Sequence, residues 1–313
     1  MKEDLISIVG PTGVGKTALS IELAKKYGGE IISGDSMQIY RGMDIGTAKV
    51  NEEEMQGVPH HLLDIKDPDE AFSVADFQEL VVPLITRLNQ KKKVPILTGG
   101  TGLYVNSIIK GYQFSETEED LTYRKELEQF VSEHGVEALY TQLLSVDPDA
   151  KEVIHPNNVR RVIRALEVFK VTGIPFTKQQ KSTSEEERYH LAMIGLTMPR
   201  DQLYARINRR VDIMVKNGLI EEVEHLYNQD LKDVQSVQAI GYKELYGYMD
   251  GLYSLEEAIE KLKQNSRRYA KRQYTWFRNK TNTTWFDVSE GLTEKVFLQI
   301  SEFVEGNLKN ISK

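Results

Sequence analysis

Eight residues, Gly10-Pro11-Thr12-Gly13-Val14-Gly15-Lys16-Thr17, constrain this chain more than any other stretch. They fit G-x-x-x-x-G-K-[ST] and stand between an apolar, β-rich run at 5–9 and a helical pattern at 17–27. In that setting small residues let backbone N–H groups converge on phosphate oxygens. The helix N-terminus adds partial positive charge, Lys16 neutralises the distal phosphate, and Thr17 is the motif's Mg2+ contact. A strand, this loop and a helix open a βαβ unit, so the motif predicts a parallel sheet with its ligand at the carboxyl ends of the strands.

The rest of the chain extends that unit. A second strand is expected at 30–33. Ser73 and Asp76 form a capping-box pattern that opens a helix to about Gln90, with Pro83 as its expected kink. Residues 94–98 read as a buried strand, 191–197 as a further strand, and 200–217 and 255–279 as long helices, the last opened by Ser254 and Glu257. Between the polar stretches SETEED and KSTSEEER the texture is helical. The fold class is therefore α/β: a P-loop-type parallel sheet flanked by helices, formed by 1–112 and 191–313, with an inserted all-helical lobe at 113–190.

Composition narrows the chemistry. The 313 residues include no cysteine, which excludes disulfides, thiolate zinc sites and cysteine nucleophiles. None of the six histidines sits in an H-E-x-x-H arrangement. The N-terminal apolar run is too short for a signal peptide or a membrane span, so a cytoplasmic monomer with no membrane partner is expected. A net charge of −7 argues against a protein that coats nucleic acid everywhere, yet from Lys261 to Lys280 there are eight basic residues and no acid. Tyr269, Tyr274, Trp276 and Phe277 interleave with them, which suits a surface meeting phosphates and bases together.

A phosphate loop alone suits an NTPase or kinase. An ATP-hydrolysing member ends a later strand with an Asp that supports Mg2+, whereas 94–98 ends in Thr98-Gly99-Gly100-Thr101-Gly102. The nucleotide-binding motif thus stands without its usual hydrolytic companion. A carboxylate does follow the second strand, in Ser33-Gly34-Asp35-Ser36-Met37-Gln38. Two readings stay open for Asp35: a base beside a transferred group, or a turn aspartate capping the next segment. Arg160, Arg161 and Arg164 share one helix face, and Arg200, Arg206, Arg209 and Arg210 repeat the theme. Each group reads as a phosphate contact or as a salt-bridged surface. His60-His61 reads as structural.

GPTGVGKTAL, SGDSMQIYRGMDIGTAK, VPHHLLDI, LTGGTGLYV, HPNNVRRVIRALEV and RRYAKRQYTWFR, in this order, resemble the bacterial tRNA dimethylallyltransferase family over nearly the whole chain. The resemblance implies transfer of a dimethylallyl group from dimethylallyl diphosphate to N6 of the adenine just 3′ of the anticodon, in tRNAs reading codons that begin with U. It implies Mg2+ and an insertion that grips the anticodon stem-loop. It assigns the diphosphate to the loop Gly10 to Thr17 with Arg200 and Arg206, and catalysis to Asp35, as acceptor of the N6 proton, with Thr101 and Lys16. It assigns tRNA contacts to Asp35, Ser36, Met37, Gln38, Thr101, Arg124, Val159, Arg160, Arg161, Val162 and Ile163, and the basic run adds Arg267, Lys271 and Arg272. Eukaryotic relatives carry a C-terminal zinc finger, which a chain without cysteine lacks. A small-metabolite kinase would explain the loop only. A free-adenylate prenyltransferase would share the core motifs without needing the basic run, and a non-enzymatic RNA-binding protein would leave the loop unexplained.

Overall fold

The computed structural model describes residues 2–112, 120–179, 188–232 and 234–309. In chain order, β1 (Glu3–Val9), α1 (Lys16–Tyr27), β2 (Glu30–Ser33), the single turn α2 (Glu52–Met55), β3 (His60–His61), α3 (Val74–Gln90), β4 (Pro95–Thr98) and α4 (Gly102–Lys110) come first. Then follow α5 (Leu121–His134), α6 (Val136–Val146), α7 (Val159–Thr172) and α8 (Phe176–Gln179). The chain closes with β5 (Tyr189–Thr197), α9 (Arg200–Lys216), α10 (Leu219–Tyr227), α11 (Tyr242–Met249), α12 (Leu255–Lys280), β6 (Thr284–Asp287) and α13 (Glu294–Asn307).

It divides into two compact units, Met1–Ile109 with Glu187–Lys313, and Lys110–Glu186. The first unit holds a six-stranded sheet in the order β3-β2-β4-β1-β5-β6, with every neighbouring pair parallel. Parallel strands are covered on both faces, and alternation sorts their side chains accordingly. Leu5, Val9, Ile32, Leu97 and Met193 enter one core with Phe77, Val81, Leu84, Ile85 and Leu88 of α3. Ile6, Ile8, Ile31, Ile96 and Ile194 enter the other with Leu19 and Leu23 of α1, Leu203 and Ile207 of α9, and Ile300 and Val304 of α13. The capping boxes at Ser73 and Ser254 are both formed. The helix α3 continues through Pro83, whose exposed ring lies opposite the buried Val81 and Ile85.

The structure departs from the sequence expectations at two points. The returning strand begins at Tyr189, two residues before 191, because Tyr189 and His190 pair with Glu3 and Asp4. The strands β3 and β6 were not foreseen. The polar breaks at 115–119 and 181–187 lie outside the described residues.

In the second unit α5, α6 and α7 pack around Leu127, Leu139, Leu143, Ile154, Val162, Ile163 and Leu166. Burying each such aliphatic side chain contributes about 1.5–3 kcal/mol. Glu167, fully buried, sits beside this core and accepts from Arg124 Nε at 2.9 Å, Arg164 Nη1 at 2.6 Å and the Asp120 N–H at 2.8 Å. Burial pushes its carboxyl up, but those donors outweigh burial and hold it below the usual range. Among the described residues no helix is long and apolar enough to cross a membrane.

Candidate active site

Sheet order assembles the site. Because β2, β4, β1 and β5 are neighbours, the segments leaving their carboxyl ends lie side by side: Gly34 to Gln38, Gly99 to Gly102, Gly10 to Gly15, and Met198 to Arg200. Residues distant in sequence thus meet at one edge.

The phosphate loop has its required backbone. Gly13 and Gly15 have φ of 81° and 110°, a region that L side chains avoid. Gly15 is the N-cap of α1 and offers no side chain to cover the helix's first N–H groups. Lys16 Nζ folds back onto the Gly10 and Pro11 carbonyl oxygens at 3.0 Å each. Burial lowers its pKa to about 8, opposed by the Asp35 charge and assisted by Arg210. Arg210, on α9, donates to Thr12 Oγ1 at 3.4 Å. Burial lowers its pKa too, against the pull of Asp35. Among the described residues neither cation forms an ion pair. Two desolvated positive charges beside open helix N–H groups make a receptor for an anion.

Asp35 follows β2 within the field of both cations. Its Oδ1 accepts the Met37 N–H at 2.9 Å, so it does close the turn, while the described residues give its other oxygen no hydrogen bond. The two readings of this aspartate are compatible. The Ser36 N–H donates to Thr101 Oγ1 at 3.2 Å, tying the loop after β2 to the loop after β4. Gln38 is occupied structurally: Nε2 donates to the Thr47 and Ala48 carbonyls at 3.3 Å each, and Oε1 accepts from Ser33 Oγ at 3.0 Å. Met37 packs against the core. Behind this loop, Glu222 accepts the N–H groups of Asp44, Ile45 and Gly46 at 2.8–3.0 Å and the Tyr242 hydroxyl at 2.6 Å.

The helix α12 closes the site with Tyr269, Gln273 and Trp276. Burial pushes the Tyr269 hydroxyl up to about 12, with the Asp35 charge adding and contacts to Thr101 and Gln273 opposing. A Cβ on Gly100 would collide with Gln273, and one on Gly102 with Trp276. Gly100 and Gly102 of the β4 loop are therefore there to admit this helix.

The other expected residues sit in varied surroundings. Arg200 is exposed over the Tyr204 ring, 5.0 Å from its centroid, and Arg206 is exposed beside Met198 Sδ. The arginine bonded to the loop is Arg210, one turn beyond Arg206. Val162 and Ile163 are 0% and 4% exposed inside the helical unit, so their side chains cannot touch RNA. Arg124 is held by Glu167. On the same helix as Val162, Arg160 and Arg161 are exposed, the latter 5.8 Å from the Phe176 ring, and Val159 is half-buried. Along α12 the interleaved aromatics are not one stacking surface: Phe277 is core, Tyr274 bonds Thr197 and packs on Trp285, and Trp276 is 37% exposed. Lys271 and Arg272 are exposed, whereas Arg267 is half-buried and bonds Asn208. Gln273 and Glu222 were missed, while Arg210 and Tyr269 were visible in the sequence only as members of the arginine group at 200–210 and of the aromatic-interleaved basic run.

Among the described residues no group of three or more His, Cys, Asp or Glu side chains could hold a metal. The exposed Thr17 hydroxyl at the end of the loop suits Mg2+ in its other habit, bound through substrate phosphates and water with few protein ligands.

The family model for IPP transferase matches residues 38–280. The tRNA dimethylallyltransferase of Halalkalibacterium halodurans is 59% identical over 314 aligned residues, spanning 100% of both chains. The crystal structure of the tRNA isopentenylpyrophosphate transferase from Bacillus halodurans, 58% identical, superposes with a TM-score of 0.75 over 98% of this chain and 97% of that one. A eukaryotic dimethylallyltransferase captured acting on tRNA is 28% identical and superposes with a TM-score of 0.82 over 99% of this chain and 81% of its own. A phosphate receptor without a hydrolytic aspartate and full-length likeness to these transferases have one joint reading: the chain belongs to the IPP transferase family.

Proposed function

We propose that this chain transfers a dimethylallyl group from dimethylallyl diphosphate to N6 of the adenine 3′-adjacent to the anticodon, in tRNAs reading U-initial codons, with release of diphosphate. The observation that carries the reading is the pair of desolvated, carboxylate-free cations, Lys16 and Arg210, flanking the phosphate loop with Asp35 in their field.

An exocyclic adenine amine is a poor nucleophile, so the site has two tasks. As the C–O bond to the diphosphate breaks, its electron pair leaves with the diphosphate, and Lys16, Arg210 and the amides at the start of α1 stabilise that charge. As the N6 lone pair forms the new C–N bond, the N6 proton passes to Asp35, next to Thr101 and Ser36 on the adenine side. Mg2+ held through Thr17 and the diphosphate would add positive charge to the leaving group. The adenine must first be unstacked, which costs a few kcal/mol and is cheapest in a loop. Arg160 and Arg161 on α7, and Lys271 and Arg272 on α12, would meet RNA phosphates. The protein acts in the cytoplasm as a monomer, which size-exclusion chromatography would test.

The test is mass spectrometry of tRNA after incubation with dimethylallyl diphosphate and Mg2+. A mass gain of one dimethylallyl group on the adenine is expected. Stoichiometric conversion of ATP to ADP without that gain would establish the kinase reading instead. Asp35→Asn keeps an acceptor for the Met37 N–H and removes the base. It should cut kcat by about 10²–10⁴-fold, and near-normal turnover would reduce Asp35 to a turn residue.

A further inference from the structure

Gln273 is 4% exposed on α12 and holds no phosphate, base or RNA role above. Its carboxamide spans two loops. Oε1 accepts the Thr12 N–H at 2.8 Å, and Nε2 donates to the Gly100 carbonyl oxygen at 3.1 Å. The orientation is chemically forced, because turning the amide over would set donor against donor and acceptor against acceptor. The approach is purpose-built: any side chain at Gly100 would strike the Gln273 amide nitrogen. One turn earlier Tyr269 faces the same carboxamide and Thr101, and Thr101 receives the Ser36 N–H beside Asp35.

We propose that Gln273 is a positioning residue for the donor: it clamps the phosphate loop at Thr12 to the β4 loop at Gly100, so that the diphosphate meets an already ordered set of N–H donors. The proposal deepens the prenyl-transfer reading and rests on it. A glutamine does this because its two ends differ, one accepting and one donating, at a length that bridges two backbones. The clamp acts before any ligand arrives. Removing it leaves Lys16 and Arg210 in place but lets the loop between them sample conformations in which its amides diverge.

The test uses the full chain, with inorganic pyrophosphate and Mg2+ as the probe, beside binding of an anticodon stem-loop and turnover. Gln273→Met keeps the length and loses both hydrogen bonds. We expect pyrophosphate affinity to fall about ten-fold, the worth of one net hydrogen bond, and KM for dimethylallyl diphosphate to rise in step, with stem-loop affinity unchanged. Gly100→Ala, which displaces the carboxamide while leaving Gln273 intact, should reproduce the loss. The double variant should be no worse than either single change, because both break one clamp. Wild-type pyrophosphate affinity in Gln273→Met, parallel losses of pyrophosphate and stem-loop binding, or additive losses in the double variant would each overturn the proposal. Failure of the wild-type protein to prenylate tRNA would overturn the parent reading instead, while the pyrophosphate comparison would still decide the role of Gln273.

Discussion

Partly buried cations occur in both units, and they are treated in opposite ways. In the helical unit Arg124 and Arg164 converge on Glu167, a fully buried carboxylate that three donors satisfy. At the sheet edge Lys16 rests on two carbonyl oxygens and Arg210 on a threonine hydroxyl. Burial depresses both pKa values there. Removing charge from water is costly, and a protein offsets that cost with a partner of opposite sign. A paired arginine is therefore architecture. An unpaired one is a strained position whose partner is a ligand, and the difference separates the arginines that hold this protein together from those that work.

Breaking each arrangement should give opposite signatures. Glu167→Ala leaves two guanidinium groups without their buried partner and should cost about 3–5 kcal/mol. Denaturant unfolding should show it, with hydrogen exchange accelerating first in α5 and α7. A loss below 1 kcal/mol would mean that the helical unit does not depend on this cluster. Arg210→Met should lower kcat/KM for the donor by about 10²–10³-fold, the usual worth of one transition-state donor. Its unfolding midpoint should stay level or rise, because an uncompensated, partly desolvated charge has gone. A large stability loss without a kinetic effect would place Arg210 with the structural arginines.

Much of this contrast was legible in the sequence, and the remainder has physical reasons. The phosphate loop, α1, the capping boxes at Ser73 and Ser254 and the helical insertion are local patterns, and the loop's chemistry is written in eight contiguous residues. The helical spacing of VRRVIRAL also held the answer for Val162 and Ile163: they share the inward stripe with Leu166 while Arg160 and Arg161 point away. As a contiguous motif the run looks like one recognition surface, but its helical period splits it into a core stripe and an exposed one. Three other features were beyond local reading. Gly99, Gly100 and Gly102 answer to Gly34, Gln273 and Trp276, partners up to 174 positions distant. The choice of Arg210 over Arg206 depends on how α9 lies against the loop, where Gly13 meets Ile207. The strand β3 has only two residues and so carries no alternation to detect.

A smaller effect follows from the Lys16 pKa of about 8. Below that pH the free protein already carries the charged form that the diphosphate requires. Above it the lysine is neutral in the free protein and must take up a proton on binding, so affinity should fall as pH rises, by at most about ten-fold per unit. Calorimetry with pyrophosphate in two buffers of different ionisation enthalpy should show proton uptake above pH 8. Lys16→Arg stays cationic throughout and should lack that uptake; equal uptake in both proteins would assign it to another group.

The smallest effect sharpens the comparison within a single helix. Arg160 and Arg161 are exposed on α7, and Arg164, one turn on, is engaged by Glu167. Binding to RNA releases roughly 0.7 counterion per single-stranded phosphate contact, so the log-log slope of affinity against salt counts the cations that meet phosphates. Replacing Arg160 and Arg161 together by alanine should make the slope for an anticodon stem-loop shallower by about 1.4, two such contacts. Arg164→Ala should leave the slope unchanged and lower stability instead. On α12 the exposed Lys271 and Arg272 should each move the slope by one contact, and Arg267, bonded to Asn208, by less. These losses should be similar for stem-loops of different sequence, because phosphate contacts position RNA without reading bases. If Arg164 shifts the slope as much as Arg160 does, pairing with a buried carboxylate does not remove an arginine from recognition, and the distinction between the two kinds of cation fails.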